Sequence, residues 1–362
     1  MRRIASINQD PGIGPGRNKG AAVHLASMRK AFAALGYDVT AVDEPDGGSL
    51  ERALRRQQGS EGLTLIYERY ALGADRASRF ARRHGIPVVL EVNAPLAQER
   101  ARYRKKHETS AERERDRFVF ANATLVVTVS SAVAEYARER GAAPERILVC
   151  PNGVDRELFN LSARASKTPL PGIAKHTTVL GFHGRERPWH GFGELVRVAG
   201  DLLERGHDIH FLVVGEGAFE ALQALPPSAR TRLPWQPQER LAALLAHFDI
   251  LPLAHRRDAP YYFSPLKLTE AMACGAVPVV PDLGDLATLV RHGQTGFVYP
   301  AGQPERLAEL IGTLCSAVDE RKAVGERAAA WASRQTWNSI ARRILSHPLL
   351  AQGRQARERA QL

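Results

Sequence analysis

The chain has 362 residues, 44% hydrophobic and 25% charged, and its 50 Lys and Arg against 39 Asp and Glu give a formal net charge of +11. That is the size of two ordinary domains and the composition of a soluble globular protein. No apolar run approaches bilayer-spanning length, and the opening MRRIASINQDPG lacks the apolar stretch of a signal peptide. Three scattered cysteines, Cys150, Cys274 and Cys315, show no metal spacing and predict a reduced, cytoplasmic setting.

The positive balance raises nucleic-acid and membrane-surface readings. Arginine is spread throughout, however, and the densest basic stretch, RARYRKKH (100–107), is followed by the acid-interleaved ETSAERERDR. It reads first as a solvated helix face. Peripheral attraction to an anionic membrane surface at its inner face, or to an anionic lipid-linked acceptor, is the alternative. No helix-turn-helix, zinc or RNA-recognition signature is present, so no nucleic-acid partner is expected.

In chain order, Met1 to Ile7 begins a short strand, glycines at 12, 14, 16 and 20 mark a loop, and Ala21 to Leu35 forms an amphipathic helix closed by Gly36. As a dinucleotide fingerprint the glycines have the wrong final spacing and enclose a proline, which disfavours a nicotinamide dehydrogenase. Leu63 to Tyr67 is a buried strand ending in Glu68-Arg69, and Ile86 to Leu90 is another, running into Glu91-Val92-Asn93-Ala94-Pro95-Leu96. Ligands gather where parallel strands end in loops, so Glu91 and Asn93 are candidates for the acceptor side of a cleft. A capping Asn and a solvated Glu fit the same residues. A long charged helix is predicted over about residues 97–121. The strand Thr124 to Val129 follows, then Ser130 or Ser131 as a helix N-cap. Ile147 to Cys150 is a strand that ends in the turn signal Pro151-Asn152-Gly153-Val154-Asp155.

Residues 161–177 lack a period and read as a linker. Val179 to Phe182 then opens a second domain, followed by the loop HGRERPWHG and a helix from Phe192 to Leu203. A strand, a glycine, positive residues and a helix make a phosphate site, and Arg185 or Arg187 can pair bidentately with diphosphate oxygens. Solvated loop arginines fit equally. Ile209 to Val214 is a strand ending in Gly215-Glu216-Gly217, and Phe248 to Leu253 is the next, beyond Leu233-Pro234-Trp235-Gln236.

The most informative stretch is Tyr261 to Asp282, YYFSPLKLTEAMACGAVPVVPD. Leu266 to Ala273 is a short helix, stopped by Gly275, before the buried strand Val277 to Val280. Pro265 suits a first helical turn; such a helix start favours anions, and Lys267 adds a full charge. Glu270, one turn on, can accept from a sugar's hydroxyl pair. A solvated Lys–Glu pair has the same spacing. Asp285 to His292 is helical, Gly293 to Val298 turns into a last strand, and helices run from Pro304 onwards.

The run SPLKLTEAMACGAVPVV resembles the nucleotide-sugar-binding segment of the family-4 retaining glycosyltransferases (group 1) of the GT-B fold. E-V-N-A-P-L, P-N-G-V-D, P-W-H-G and H-G-x-T-G-F-V extend the resemblance over roughly residues 8 to 345. It implies an α/β protein of two Rossmann-like, doubly wound parallel-sheet domains facing a cleft. Residues 1–165 would bind the acceptor and 166–334 the donor, with 335–362 a helix returning to the first domain and a tail. The resemblance places Gly16, Lys19 and Gly20 in a cleft loop, and Asn93 where many members carry a histidine. It places Gly184, Arg185 or Arg187, and His190 by the diphosphate, and Gly215 beneath the nucleotide. Trp235 and Gln236 fall at the base, although a lone Trp is more often core. Pro265, Leu266 and Lys267 fall at the phosphates and Glu270 at the ribose. The family's earlier glutamate, eight positions before, is Tyr262 here, so Phe263 and Ser264 backbone groups take up the sugar contacts.

The implied reaction is transfer of a sugar, with retention, from a UDP- or GDP-sugar to a glycan, lipid-linked or small-molecule hydroxyl acceptor. The nucleotide-diphospho-sugar is a co-substrate and no cofactor is expected. Arg185, Arg187, Lys267 and a helix N-terminus can stabilise a leaving diphosphate without metal. A GT-B epimerase or phosphorylase is the alternative, the former needing further acid/base carboxylates. A non-catalytic basic binding protein is the third reading, in which Lys267 and Glu270 would be dispensable.

Overall fold

The computed structural model describes residues 2–10, 13, 20–43, 47–59, 62–165, 170–255, 257 and 261–351. The chain divides into two compact units, one of Met1–Asn152, Tyr262–Ser264 and the segment from Trp337, the other of Gly153–Tyr261 and Pro265–Thr336.

The first unit alternates strand and helix: β1 (Arg3–Asn8), α1 (Gly20–Ala34), β2 (Asp38–Val42), α2 (Gly47–Gln58), β3 (Leu65–Arg69), α3 (Arg76–Arg83) and β4 (Val88–Val92). Then come α4 (Leu96–Arg104), α5 (Ser110–Asn122), β5 (Leu125–Thr128), α6 (Ser131–Glu139) and β6 (Ile147–Val149). The six strands form one parallel sheet in the order β2-β1-β3-β4-β5-β6. Its central strands β3, β4 and β5 are buried at every residue, as a parallel sheet covered on both faces requires. Ser130 caps α6 by accepting from Val133 N.

The helix expected over 97–121 is two helices. Lys105 adopts a left-handed conformation (φ 53°) that ends α4, and Thr109 with Glu112 forms a capping box that starts α5.

The second unit contains α7 (Leu161–Ala165), β7 (Thr178–His183), α8 (Phe192–Glu204), β8 (Ile209–Val214), β9 (Arg230–Leu233), α9 (Gln238–Leu245) and β10 (Ile250–Pro252). It continues with α10 (Leu266–Ala273), β11 (Val277–Pro281), α11 (Leu286–Leu289), β12 (Phe297–Tyr299), α12 (Pro304–Ser316) and α13 (Val318–Ala332). Its parallel sheet runs β12-β11-β10-β7-β8-β9, with one apolar core containing Phe182, Phe192 and Phe211 and another containing Phe248, Leu268 and Met272. The last helix, α14 (Trp337–Leu345), belongs to the first unit.

Three expectations shift. The first unit ends at Asn152 rather than residue 165, because Val154 and Phe159 are buried in the second unit's core and Val154 N donates to Gln335 O at 2.8 Å. The predicted linker holds α7, and Arg164 of α7 donates to Phe248 O at 2.7 Å. Tyr262–Ser264, read as part of the second domain, belongs to the first: Ser130 Oγ donates to Tyr262 O at 2.8 Å, and the Tyr262 hydroxyl donates to Glu99.

Both sheets have a point where strand order reverses, between β1 and β3 in the first and between β7 and β10 in the second. Crevices at the carboxyl ends of such strands are the ligand sites of doubly wound sheets.

Candidate functional site

At the reversal in the second sheet, β7 delivers Phe182 and His183, and the loop after β10 delivers Ala254 and His255. The two loops touch at the backbone: Gly191 has φ +60°, and a Cβ there would lie 1.7 Å from Ala254 O. The loops after β7 and β8 are joined likewise. Gly184 N donates to Val214 O and Glu186 N to Glu216 O, both at 2.9 Å, while a Cβ on Gly215 (φ +153°) would lie 2.0 Å from Gly184 O.

Into this corner α10 brings Lys267 and Glu270. Lys267 Nζ lies 4.4 Å from the centroid of the Phe182 ring, buried and without a hydrogen-bond partner. His190 Nδ1 and His255 Nδ1 are also buried without partners, and the two rings meet edge to face at 5.5 Å. His183 Nε2 lies 3.3 Å from Lys267 O and 3.8 Å from Glu270 Oε2. Burial pushes the Lys267 ammonium down to about 7, against the pull of Glu270, and pushes the Glu270 carboxyl up to about 7, against Lys267. Burial and Lys267 together push His183 and His255 down to about 3 and His190 to about 2, so all three imidazoles are neutral near pH 7. A half-protonated amine and two ring nitrogens without partners are therefore buried together, and a bound anion would favour the ammonium and accept from the protonated nitrogens.

The solvated Lys267–Glu270 pair is thus corrected: Glu270 is 7% exposed and the Lys267 nitrogen is buried. Gly184, Gly215, His190, Lys267 and Glu270 come together here, and Pro265 and Leu266 form the entry to α10. Arg185 and Arg187 stay on the exposed rim, Arg185 paired with Glu216 and Arg187 over the Trp189 ring at 5.8 Å. Trp235 is 40% exposed, which removes its reading as a core residue, and Gln236 donates to Pro234 O at 3.2 Å. His255 was not singled out by any motif; its place after β10 is visible only once strand order is known.

The first unit gathers a second polar cluster. Glu91, the fourth residue of β4, accepts from Arg69 at 2.8 Å and from the Tyr67 hydroxyl and Asn93 amide, and lies 3.0 Å from His24 Nε2. Burial would raise its pKa, but His24, Arg69 and Tyr67 outweigh that and hold it well below the usual carboxylate range. His24 Nδ1 lies 2.7 Å from Asn152 Oδ1, and Asn152 N donates to Ser264 Oγ at 2.8 Å. Asn93 is no helix cap: Pro95 holds that position in α4, and Asn93 donates to Glu91. Glu91 is not solvated, at 1% exposure. Ser264 O and Oγ are engaged by Asn152, and Phe263 packs in the first unit's core. Gly20 is the exposed first residue of α1; Gly16 and Lys19 lie outside the described residues.

Residues 177–317 match the family description "Glycosyl transferases group 1", and residues 50–158 match "Glycosyltransferase Family 4". A D-inositol 3-phosphate glycosyltransferase of Nocardia farcinica is 32% identical over 220 residues, 57% of this chain and 48% of that protein. One of Corynebacterium efficiens is 27% identical over 320 residues, 83% of this chain and 73% of that protein. The chain spans about half the length of the Nocardia, Segniliparus and Rhodococcus relatives it matches. Among solved structures, sucrose-phosphate synthase of Thermosynechococcus elongatus superposes with a TM-score of 0.71 at 17% identity, covering 95% of this chain and 97% of that one. Anabaena HepE in complex with UDP and glucose gives 0.66 at 22%, covering 95% and 98%.

Two doubly wound parallel sheets, shared with these structures over nearly the whole chain, make this a GT-B fold. Both halves match, and the chain belongs to the family-4, group 1 glycosyltransferases.

Proposed function

We propose that the protein transfers a sugar from a nucleoside-diphosphate sugar to a hydroxyl acceptor, with retention and without a metal ion. The observation that carries this reading is the corner of the second unit where Lys267 Nζ, His190 Nδ1 and His255 Nδ1 are buried and unsatisfied. A leaving diphosphate supplies oxygens for all three, and the charge it gains in the transition state is what fixed donors in a dry site stabilise best. Glu270 beside them is suited to a ribose hydroxyl pair, and exposed Trp235 to a base. Gly184 and Gly215, whose backbones approach too closely for a side chain on Gly215, fix the two loops beside Lys267 against each other. Arg185 reaches phosphate only by leaving Glu216, so it acts at the rim rather than as the principal donor.

The acceptor is assigned to the first unit, at the carboxyl ends of β3 and β4, near Asn93. The relatives' names point to a phosphorylated polyol as one acceptor class to try. No helix among the described residues is long and apolar enough to cross a membrane. We assign the protein to the cytoplasm. The stretch 100–107, exposed from Arg102 onwards, is its candidate contact with an anionic surface.

The test is a thermal-shift screen with UDP, GDP, ADP, dTDP, NAD and a short DNA duplex, without added metal and then with Mg²⁺. Stabilisation by one nucleoside diphosphate in metal-free buffer supports the reading and names the base. Stabilisation by NAD or DNA alone, or by a nucleotide only when Mg²⁺ is present, rejects it.

A further inference from the structure

A cavity of about 720 Å³ opens in the first unit beside the loop Ala71–Asp75. Gln9, just after β1, and that loop, just after β3, both line it, so it sits where strand order reverses in the first sheet. Its other walls are basic. Arg76, Arg79 and Arg83 come from α3, and Arg115 comes from α5.

Their pairing is incomplete. Arg79 Nε meets Asp75 at 2.6 Å, and Arg83 meets Glu51 at 3.1 Å, a carboxylate it shares with Arg55. Arg76 and Arg115 have no partner among the described residues. Four guanidinium groups thus face two lining carboxylates, both already engaged. The floor is fixed. Buried Asp116, next to Arg115 in α5, accepts from Gly73 N at 2.9 Å and from the Tyr70 hydroxyl at 2.6 Å. Gly73 has φ +74°, and a Cβ there would press on Glu112 Cγ at 3.0 Å, so loop and helix are packed to contact. Guanidinium groups on a fixed frame recognise phosphate in preference to neutral groups, because each offers paired donors of the matching geometry.

We propose that this cavity binds a phosphoryl group carried by the acceptor, making the substrate an anionic rather than a neutral hydroxyl compound. This deepens the transferase reading and rests on it for the word acceptor; the anion site itself stands on the cavity alone. The phosphoryl group is either a soluble monoester or part of a lipid headgroup, and the two sources are separable.

The experiment uses the full chain and two probes, glycerol 3-phosphate by calorimetry and phosphatidylglycerol/phosphatidylcholine vesicles by sedimentation, with glycerol and pure phosphatidylcholine as neutral controls at fixed ionic strength. The variants are R76A/R115A, both exposed positions, and E51Q, which removes the competing carboxylate. We expect one probe to bind the wild type, about tenfold or more weaker binding in R76A/R115A, and tighter binding in E51Q. The responding probe identifies the source. Binding of neither probe, or equal binding by wild type and R76A/R115A, overturns the proposal. The nucleoside diphosphate of the screen above is measured on the same samples. If it binds normally, only the phosphoryl site falls; if it also fails, the transferase reading falls with it.

Discussion

The ammonium of Lys267 stands 4.4 Å from the centre of the Phe182 ring and has no hydrogen-bond partner. The aromatic face and Glu270 are the favourable surroundings offered to a charge that burial disfavours, and the balance lowers the Lys267 pKa to about 7. A site in this condition gains most when an anion arrives. Lys267→Ala is therefore expected to lose turnover by roughly a hundredfold or more, the cost of removing a donor to developing charge. Melting temperature should be unchanged or higher, since no native partner is orphaned. Near-normal turnover in a folded mutant would remove Lys267 from the phosphate site.

If Lys267 holds the diphosphate as proposed, the same residue should make nucleotide binding pH-dependent. In the free protein Lys267 is half protonated near pH 7, and a bound diphosphate favours the ammonium. Above that pH, binding must take up a proton, so affinity falls as pH rises, by up to about tenfold per unit until the bound-state pKa is reached. Calorimetry at pH 8 in two buffers of different ionisation enthalpy measures the uptake directly. Identical heats in both buffers would show that Lys267 does not couple to the ligand.

Glu270 couples pH to folding. Its carboxyl is raised from 4.5 to about 7, so between those values the folded state holds a proton that the unfolded state has released. Stability conferred by the neutral form is fully present below about pH 4.5 and is lost as pH rises through about 7. Glu270→Gln should flatten that decline, read as chemical denaturation midpoints from pH 5 to 8. It should also weaken nucleoside diphosphate binding, because an amide accepts a hydroxyl pair less well than a carboxylate. Unchanged affinity in Glu270→Gln would place the ribose elsewhere.

Much of this was legible in the sequence, for physical reasons that differ by residue. Apolar runs such as Leu63 to Tyr67 and Val277 to Val280 announce buried parallel strands, and Pro265, Lys267 and Glu270 announce α10, because their signals lie within one or two turns of chain. The split between α4 and α5 was also written locally, in Thr109-x-x-Glu112, but the charged periodicity on both sides masked it. His255 and the arginine cavity were not legible. Their meaning depends on which strands are neighbours, and β7 beside β10 or β1 beside β3 is a property of topology. Tyr262–Ser264 was misassigned because continuity of sequence suggested continuity of domain, whereas Ser130 and Asn152 hold those residues in the first unit.

Gly215 tests the frame of the proposed nucleotide corner without touching a charged group. Its φ of +153° and the Gly184 carbonyl 2.0 Å from any Cβ leave no relaxed position for alanine. Gly215→Ala should cost roughly 2–4 kcal/mol of stability, from strain and overpacking against backbone. Because the displaced partner is Gly184, nucleoside diphosphate affinity should fall too. A mutant as stable as the wild type in urea would mean that the two loops can separate freely.

Glu91 is the keystone of the first unit's polar cluster, receiving Arg69, Tyr67 and Asn93 with His24 3.0 Å away, at 1% exposure. Its folded pKa lies well below 4.5, so the stability it confers is present above pH 4.5 and is lost as pH falls through the folded value. Glu91→Gln keeps the shape and removes the charge, leaving Arg69 buried beside a neutral amide. Breaking a buried ion pair from one side costs about 3–5 kcal/mol. The loss should appear at pH 7 and shrink as pH falls below 4.5, where the wild type progressively loses the same stabilisation. His24→Ala should cost less, since Arg69 still neutralises Glu91. Urea denaturation of the three proteins at pH 7 and pH 3 checks both statements. If Glu91→Gln matched the wild type at pH 7, the cluster would contribute no net stability, and its buried charges would have to be explained by ligand binding instead.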